Sequence, residues 1–141
     1  MRWIMGIRSA LKWMQRARVA ALDQNRVHAE SGDSAAQFDL GERYHDGLGV
    51  ARDAGVALMW FLRAAEQGHS KAQWTAGMML FLGRGSAPDG AEAVKWLTLA
   101  AEGGQEKARS ALVTIGKRLA PEVIAEGARR AADYRTSRKS P

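Results

Sequence analysis

Tyr44, His45 and Asp46 form the one tight cluster of proton-transfer groups in the chain. A histidine between a phenol and a carboxylate could serve general acid–base chemistry, because imidazole titrates near neutral pH and its neighbours can orient it. Its setting argues against that use: Asp46 adjoins the turn signal Gly47-Leu48-Gly49, and Tyr44 belongs to a repeat packing pattern described below. The only other histidines are His28 and His69, and there is no cysteine, so neither thiolate metal ligands nor a disulfide framework is available. A nucleophile elbow, a Walker loop and a His-Glu-x-x-His motif are all absent. The Gly47-Leu48-Gly49-Val50 loop lacks the following Gly or Lys-Ser/Thr that a phosphate cradle needs. A non-catalytic protein without metal or cofactor is therefore expected.

The elements that would carry these residues are helical. Proline is confined to Pro88, Pro121 and Pro141, while Ala, Leu, Glu and Arg are common and strand-like alternation is missing. A chain of 141 residues suits one domain. The net charge of +6 sits at the ends: residues 1–26 carry six basic side chains against Asp23, and residues 127–141 carry five against Asp133. Arg8 interrupts the apolar run Trp3 to Ile7, so no secretory leader is expected, and no segment approaches the roughly 18 apolar residues of a membrane span. The expected location is the cytoplasm.

Internal self-similarity organises the middle of the chain. Shifting by 36 lays Gly32 to Gln67 over Gly68 to Gly103 without a gap, with 14 identical pairs, among them Ser34/Ser70, Gln37/Gln73, Gly41/Gly77, Gly47/Gly83, Gly49/Gly85, Asp53/Asp89, Trp60/Trp96 and Ala64/Ala100. Each pair has a use in a helix-loop-helix unit. Ser34 and Ser70 are expected to cap the first helix, Asp53 and Asp89 the second. The Gly-x-Gly loops reverse the chain, and Gly68 and Gly104 stand where a left-handed residue would end a second helix. The repeated alanines keep the second helix slim, and Trp60 and Trp96 fill the space between layers.

Ala36, Leu40, Gly41, Tyr44, Gly47, Gly49, Val50 and Asp53, followed by Ala57, Trp60, Ala64, Ala65 and Gly68, resemble the Sel-one-like repeat, a relative of the tetratricopeptide repeat. The second copy departs at Ala76, Leu80 and Ser86. The resemblance implies an all-α fold, a right-handed α/α superhelix (solenoid) of antiparallel helix pairs. It also implies an adaptor or scaffold that holds other proteins. The expected division is residues 1–31 as N-terminal amphipathic and capping helices, 32–67 and 68–103 as repeats, and 104–134 as a degenerate C-terminal helix pair restarting at Pro121. Residues 135–141 are expected to form a disordered basic tail.

The kinship with tetratricopeptide repeats implies that Phe38, Glu42 and His45 project from the first helix into a concave groove, with Trp74, Met78 and Phe81 at the same positions of the second copy. Aromatic and methionine residues so exposed would mark a site for a protein partner, unless a terminal helix or a second copy of the chain covers them. In residues 1–17, Trp3, Ile4, Ile7, Leu11 and Met14 share one helical face and Arg8, Lys12 and Arg16 form a basic ridge on another. Such a helix could rest on an anionic membrane, or close the solenoid with its charges in water. Arg129, Arg130, Arg135, Arg138 and Lys139 lack the interleaved aromatics that stack bases, so nucleic acid is not the expected partner.

Overall fold

The computed structural model describes residues 6–139. Among them the chain forms seven α-helices and no strand: α1 (Ile7–Glu30), α2 (Ser34–Asp46), α3 (Ala54–Glu66), α4 (Ser70–Leu82), α5 (Gly90–Glu102), α6 (Glu106–Gly116) and α7 (Pro121–Lys139). The pairs α2/α3 and α4/α5 are the two sequence repeats, and the whole is an all-α helical repeat solenoid.

The local signals act in both copies. Asp53 and Asp89 accept hydrogen bonds from the backbone N–H of Val56 and Glu92 at 3.0 Å and so cap α3 and α5. The first-helix caps, however, are Asp33 and His69, which accept from the N–H of Ala36 at 3.0 Å and of Ala72 at 3.1 Å. A cap must hold extended backbone, as Asp33 and His69 do, whereas Ser34 and Ser70 are already helical. The two loops close through matching bonds, Leu48 N–H to Arg43 and Asp53 N–H to Tyr44 in one, Arg84 N–H to Met79 and Asp89 N–H to Leu80 in the other, all at 2.9 Å. Gly83 holds φ +66°, and a Cβ there would lie 2.7 Å from the Pro88 ring, so both conformation and space require glycine.

Packing uses the shared small residues. A Cβ on Gly41 would stand 2.6 Å from the Phe61 ring and one on Gly77 would stand 2.8 Å from Leu97, so the missing side chain is what lets each second helix close on its first. Ala57, Ala64, Ala65, Ala93 and Ala100 are fully enclosed, and Trp60 and Trp96 fill the interlayer space. Two buried glutamines tie successive layers: Gln37 Nε2 donates to the Ala29 carbonyl at 3.0 Å and Gln73 Nε2 to the Ala65 carbonyl at 3.2 Å. Ala29 thus takes the place of Ala65, which makes the end of α1 the second helix of a preceding layer.

The flanks differ from expectation. Residues 7–30 form one continuous helix, because no glycine or proline interrupts Ile7 to Glu30. The first helix of the third unit stops at Gly116. The unit's two helices are not a pair, since α7 lies along α5 rather than against α6. A Cβ on Gly127 would come within 2.5 Å of Val94, which shows how closely α7 seats. Nor is the stretch from residue 135 disordered: α7 continues to Lys139, with Arg135 bound to Glu102 at 2.6 Å and Arg138 donating to the carbonyl of Glu66 at the end of α3. A cation there satisfies the free carbonyls of a helix terminus. Residues 140–141, like Trp3 and Ile4, lie outside the described residues.

Candidate partner-binding surface

The first helices α2, α4 and α6 carry the surface on which partner residues were expected, and α6 decides how much of it stays open. Ala108, Ala111, Leu112 and Ile115 recur at helical spacing on one face of α6 and press on Leu97, Ala100 and Ala101 of α5 together with Trp74, Met78 and Phe81 of α4. Trp74 is therefore half-buried. Lys107 Nζ stands 5.4 Å above its ring, and its indole N–H is buried without a hydrogen-bond acceptor among the described residues. Further along α4, the cover is partial. Met78, Phe81 and Leu82 face Ser110, Ala111, Thr114 and Ile115 across a groove of about 360 Å³, with Arg118 at its rim.

The first-repeat positions behave differently. Phe38 does not project into a groove: it is 6% exposed, stacked on His69 at 4.9 Å and tilted against Phe61 at 5.3 Å. An aromatic side chain with an apolar core on one side and a loop imidazole on the other has no free face for a partner. Glu42 is exposed, beside a shallow depression shared with Asp39, Arg43 and Leu48. His45 is half-buried, its Nδ1 2.8 Å from Asp46 Oδ1, while its carbonyl accepts from Arg52 Nε at 2.8 Å. Tyr44 turns away from this pair. Its hydroxyl accepts from Arg26 Nη2 at 3.3 Å and its ring packs with Leu40 and Trp60. The phenol and the imidazole thus serve separate contacts.

Three of the five basic side chains at the C-terminal end, Arg129, Arg130 and Arg135, are ion-paired within the fold. Arg129 binds Glu126 and Asp133, each at 2.7 Å, and Arg130 bridges Glu126 at 2.9 Å to Glu92 at 2.8 Å. Hydrogen bonds from Arg129 and Arg130 lower the Glu126 carboxyl from the ordinary 4.5 to about 2, and the same bonds raise both guanidinium groups. Burial raises the Tyr134 phenol, which sits edge-on to Trp96 at 5.6 Å. Among the described residues no three His, Asp or Glu side chains gather into a candidate metal site, and no helix is long and apolar enough to cross a membrane.

Sequence reasoning passed over Leu82, Ala111 and Ile115 as groove residues and Gln37 and Gln73 as interlayer ties. The period of α6 and the identity of a polar residue at one repeat position were the signals available for them.

Comparison with known proteins places this arrangement. The family model described as Sel1 repeat matches residues 7–18, 34–69 and 70–105, more than half of the chain. Among solved structures, a Sel1 repeat protein from Oxalobacter formigenes is 37% identical with a TM-score of 0.65, covering 67% of this chain and 71% of its own. A protective antigen of uropathogenic Escherichia coli strains, displaying an SLR fold, is 30% identical with a TM-score of 0.76 over 81% of this chain. The chain spans only 25% of that antigen's length. No curated protein matches. Sel1 repeats are generally protein-interaction modules on a helical scaffold that is typically non-enzymatic. The chain belongs to the Sel1 repeat family.

Proposed function

We propose that the chain is a non-catalytic scaffold that receives a segment of a protein partner on its first-helix face, with the groove between α4 and α6 as the seat. The observation that carries this reading is the partial cover of α4: Trp74 is shielded by α6, while Met78, Phe81 and Leu82 line a depression left open to solvent. Half-buried Met78 and Phe81 beside the exposed Leu82 around a concave floor suit an apolar anchor from a partner, since Met adapts its shape and aromatics dominate interface energetics. Glu42 and His45 would supply polar contacts on the same row of first helices, and Phe38 would act only by supporting them from the core.

The test is a pull-down with the wild type and a Met78→Glu/Phe81→Glu variant, analysed by mass spectrometry and followed by binding measurements on any protein recovered. Loss of a specific partner from the variant, with its unfolding midpoint preserved, supports the seat. Identical partner sets from both baits remove it.

A further inference from the structure

The outer half of α1 carries Ile7, Leu11, Trp13 and Met14, four of the ten exposed large hydrophobic side chains among the described residues. Helix α1 has 24 residues and its neighbour α2 has 13, so at 1.5 Å per residue roughly 16 Å of α1 extends past its partner. Leu22 and Ala29 are its buried residues, and both face α2. The same helical face continues outward as Met14, Leu11 and Ile7, which are 45%, 58% and 80% exposed and join no core cluster among the described residues. Ala10, Trp13 and Ala17 reproduce the spacing of Ala57, Trp60 and Ala64 and of Ala93, Trp96 and Ala100. In the complete repeats that tryptophan is 6% and 1% exposed, whereas Trp13 is 63% exposed.

Charge indicates what covers it. Arg8, Lys12, Arg16 and Arg18 lie in this segment, and no acidic residue precedes Asp23. Unlike Arg129, Arg130 and Arg135 of α7, these four take part in none of the ion pairs among the described residues. Arg8, Lys12 and Arg16 form one polar sector beside the apolar stripe, Arg18 stands at the inner end of the stripe, and Trp13 lies at the border between sectors. Pairing α1 with α1 of a second copy would bring like charges together. An anionic lipid surface matches both halves of the pattern, since cations meet headgroups, the apolar stripe enters the acyl boundary and a tryptophan sits between. We infer that Ile7–Arg18 of α1 is a docking element for an anionic lipid surface, which would hold the repeat scaffold at a membrane without crossing it.

Co-sedimentation of the full chain with vesicles tests this directly. The wild type is expected to pellet with phosphatidylglycerol/phosphatidylcholine vesicles at low ionic strength and to stay in solution with phosphatidylcholine alone. Leu11→Gln should lower partitioning roughly tenfold, and Arg8→Glu/Lys12→Glu/Arg16→Glu by about a hundredfold or more. These positions are exposed, and unfolding midpoints equal to wild type would show that the variants fold. Absence of wild-type binding to the anionic vesicles overturns the inference without recourse to any variant. So does a Leu11→Gln protein that pellets like wild type, or a concentration-dependent dimer in analytical ultracentrifugation that Leu11→Gln dissolves.

Discussion

The Tyr134 hydroxyl donates to the backbone carbonyl of Glu66 at 2.9 Å, so a residue of the last helix closes the terminus of α3, 68 positions earlier. Its ring meets Trp96 edge-on, so one side chain links α7 to both second helices. Tyr134→Phe should therefore lower unfolding free energy by about 1 kcal/mol, the net value of one hydrogen bond. A chain ending at Asp133 should lose about 3 kcal/mol or more, because it also gives up the aromatic packing and the contacts of Arg135 and Arg138. Urea titration of the three proteins measures both steps. A truncated chain as stable as wild type would mean that the end of α7 is not held.

How much of this was legible in sequence depended on whether a residue has a counterpart 36 positions away. Trp60 and Trp96, or Asp53 and Asp89, announce themselves because each copy vouches for the other. The caps of α2 and α4 misled for the same reason: Ser34 and Ser70 match, while the true caps, Asp33 and His69, do not. Helix α7 has no counterpart, so nothing in its sequence said that it would lie along α5. Its glycine, Gly127, carries meaning only once Val94 is seen beneath it. The open groove depended on how far α6 covers α4: Trp74, Met78 and Phe81 all pack against the α5/α6 cluster, and the depression opens beside Met78, Phe81 and Leu82.

Gly127 and Gly116 should respond oppositely to alanine. At Gly127 the new methyl would meet Val94 at 2.5 Å and the Ala91 carbonyl at 2.7 Å, backbone included, so overpacking of about 1–3 kcal/mol outweighs a helix-propensity gain of about 1 kcal/mol. At Gly116 the nearest atom is Ile124 Cδ1 at 4.0 Å, and the propensity gain stands alone, reduced because the residue ends α6. Thermal unfolding should show Gly127→Ala below wild type and Gly116→Ala at or slightly above it. A neutral Gly127→Ala would mean that α7 rides farther from α5.

Trp74 offers a sharper division between packing and polarity. Its ring is wedged against α6, yet its indole N–H is buried without an acceptor among the described residues. Trp74→Ala should cost about 2–3 kcal/mol, less than a fully enclosed tryptophan because the ring is half-exposed. Trp74→Phe should cost under about 1.5 kcal/mol, since it keeps much of the ring and removes an unpaired donor. Chemical denaturation of both variants separates the two contributions. Equal losses would show that the N–H finds a partner in solution.

The Glu126 network predicts an acid-side loss of stability. Its carboxyl titrates at about 2 in the folded chain instead of 4.5, because Arg129 and Arg130 hydrogen-bond the ionised form. A folded-state value below the unfolded one means that the contribution is present above pH 4.5 and disappears as pH falls towards 2. The group is at the surface, so salt should weaken the effect. Urea midpoints measured from neutral pH down to about pH 2 should fall more steeply for wild type than for Glu126→Gln, with the two curves converging at the acid end. In high salt the gap at neutral pH should narrow. Parallel curves would show that the arginines of α7 bind Glu126 equally well in the unfolded chain. The close seating of α7 on α5 would then rest on Gly127, Ala131 and Tyr134 with the pairs Arg130–Glu92 and Arg135–Glu102.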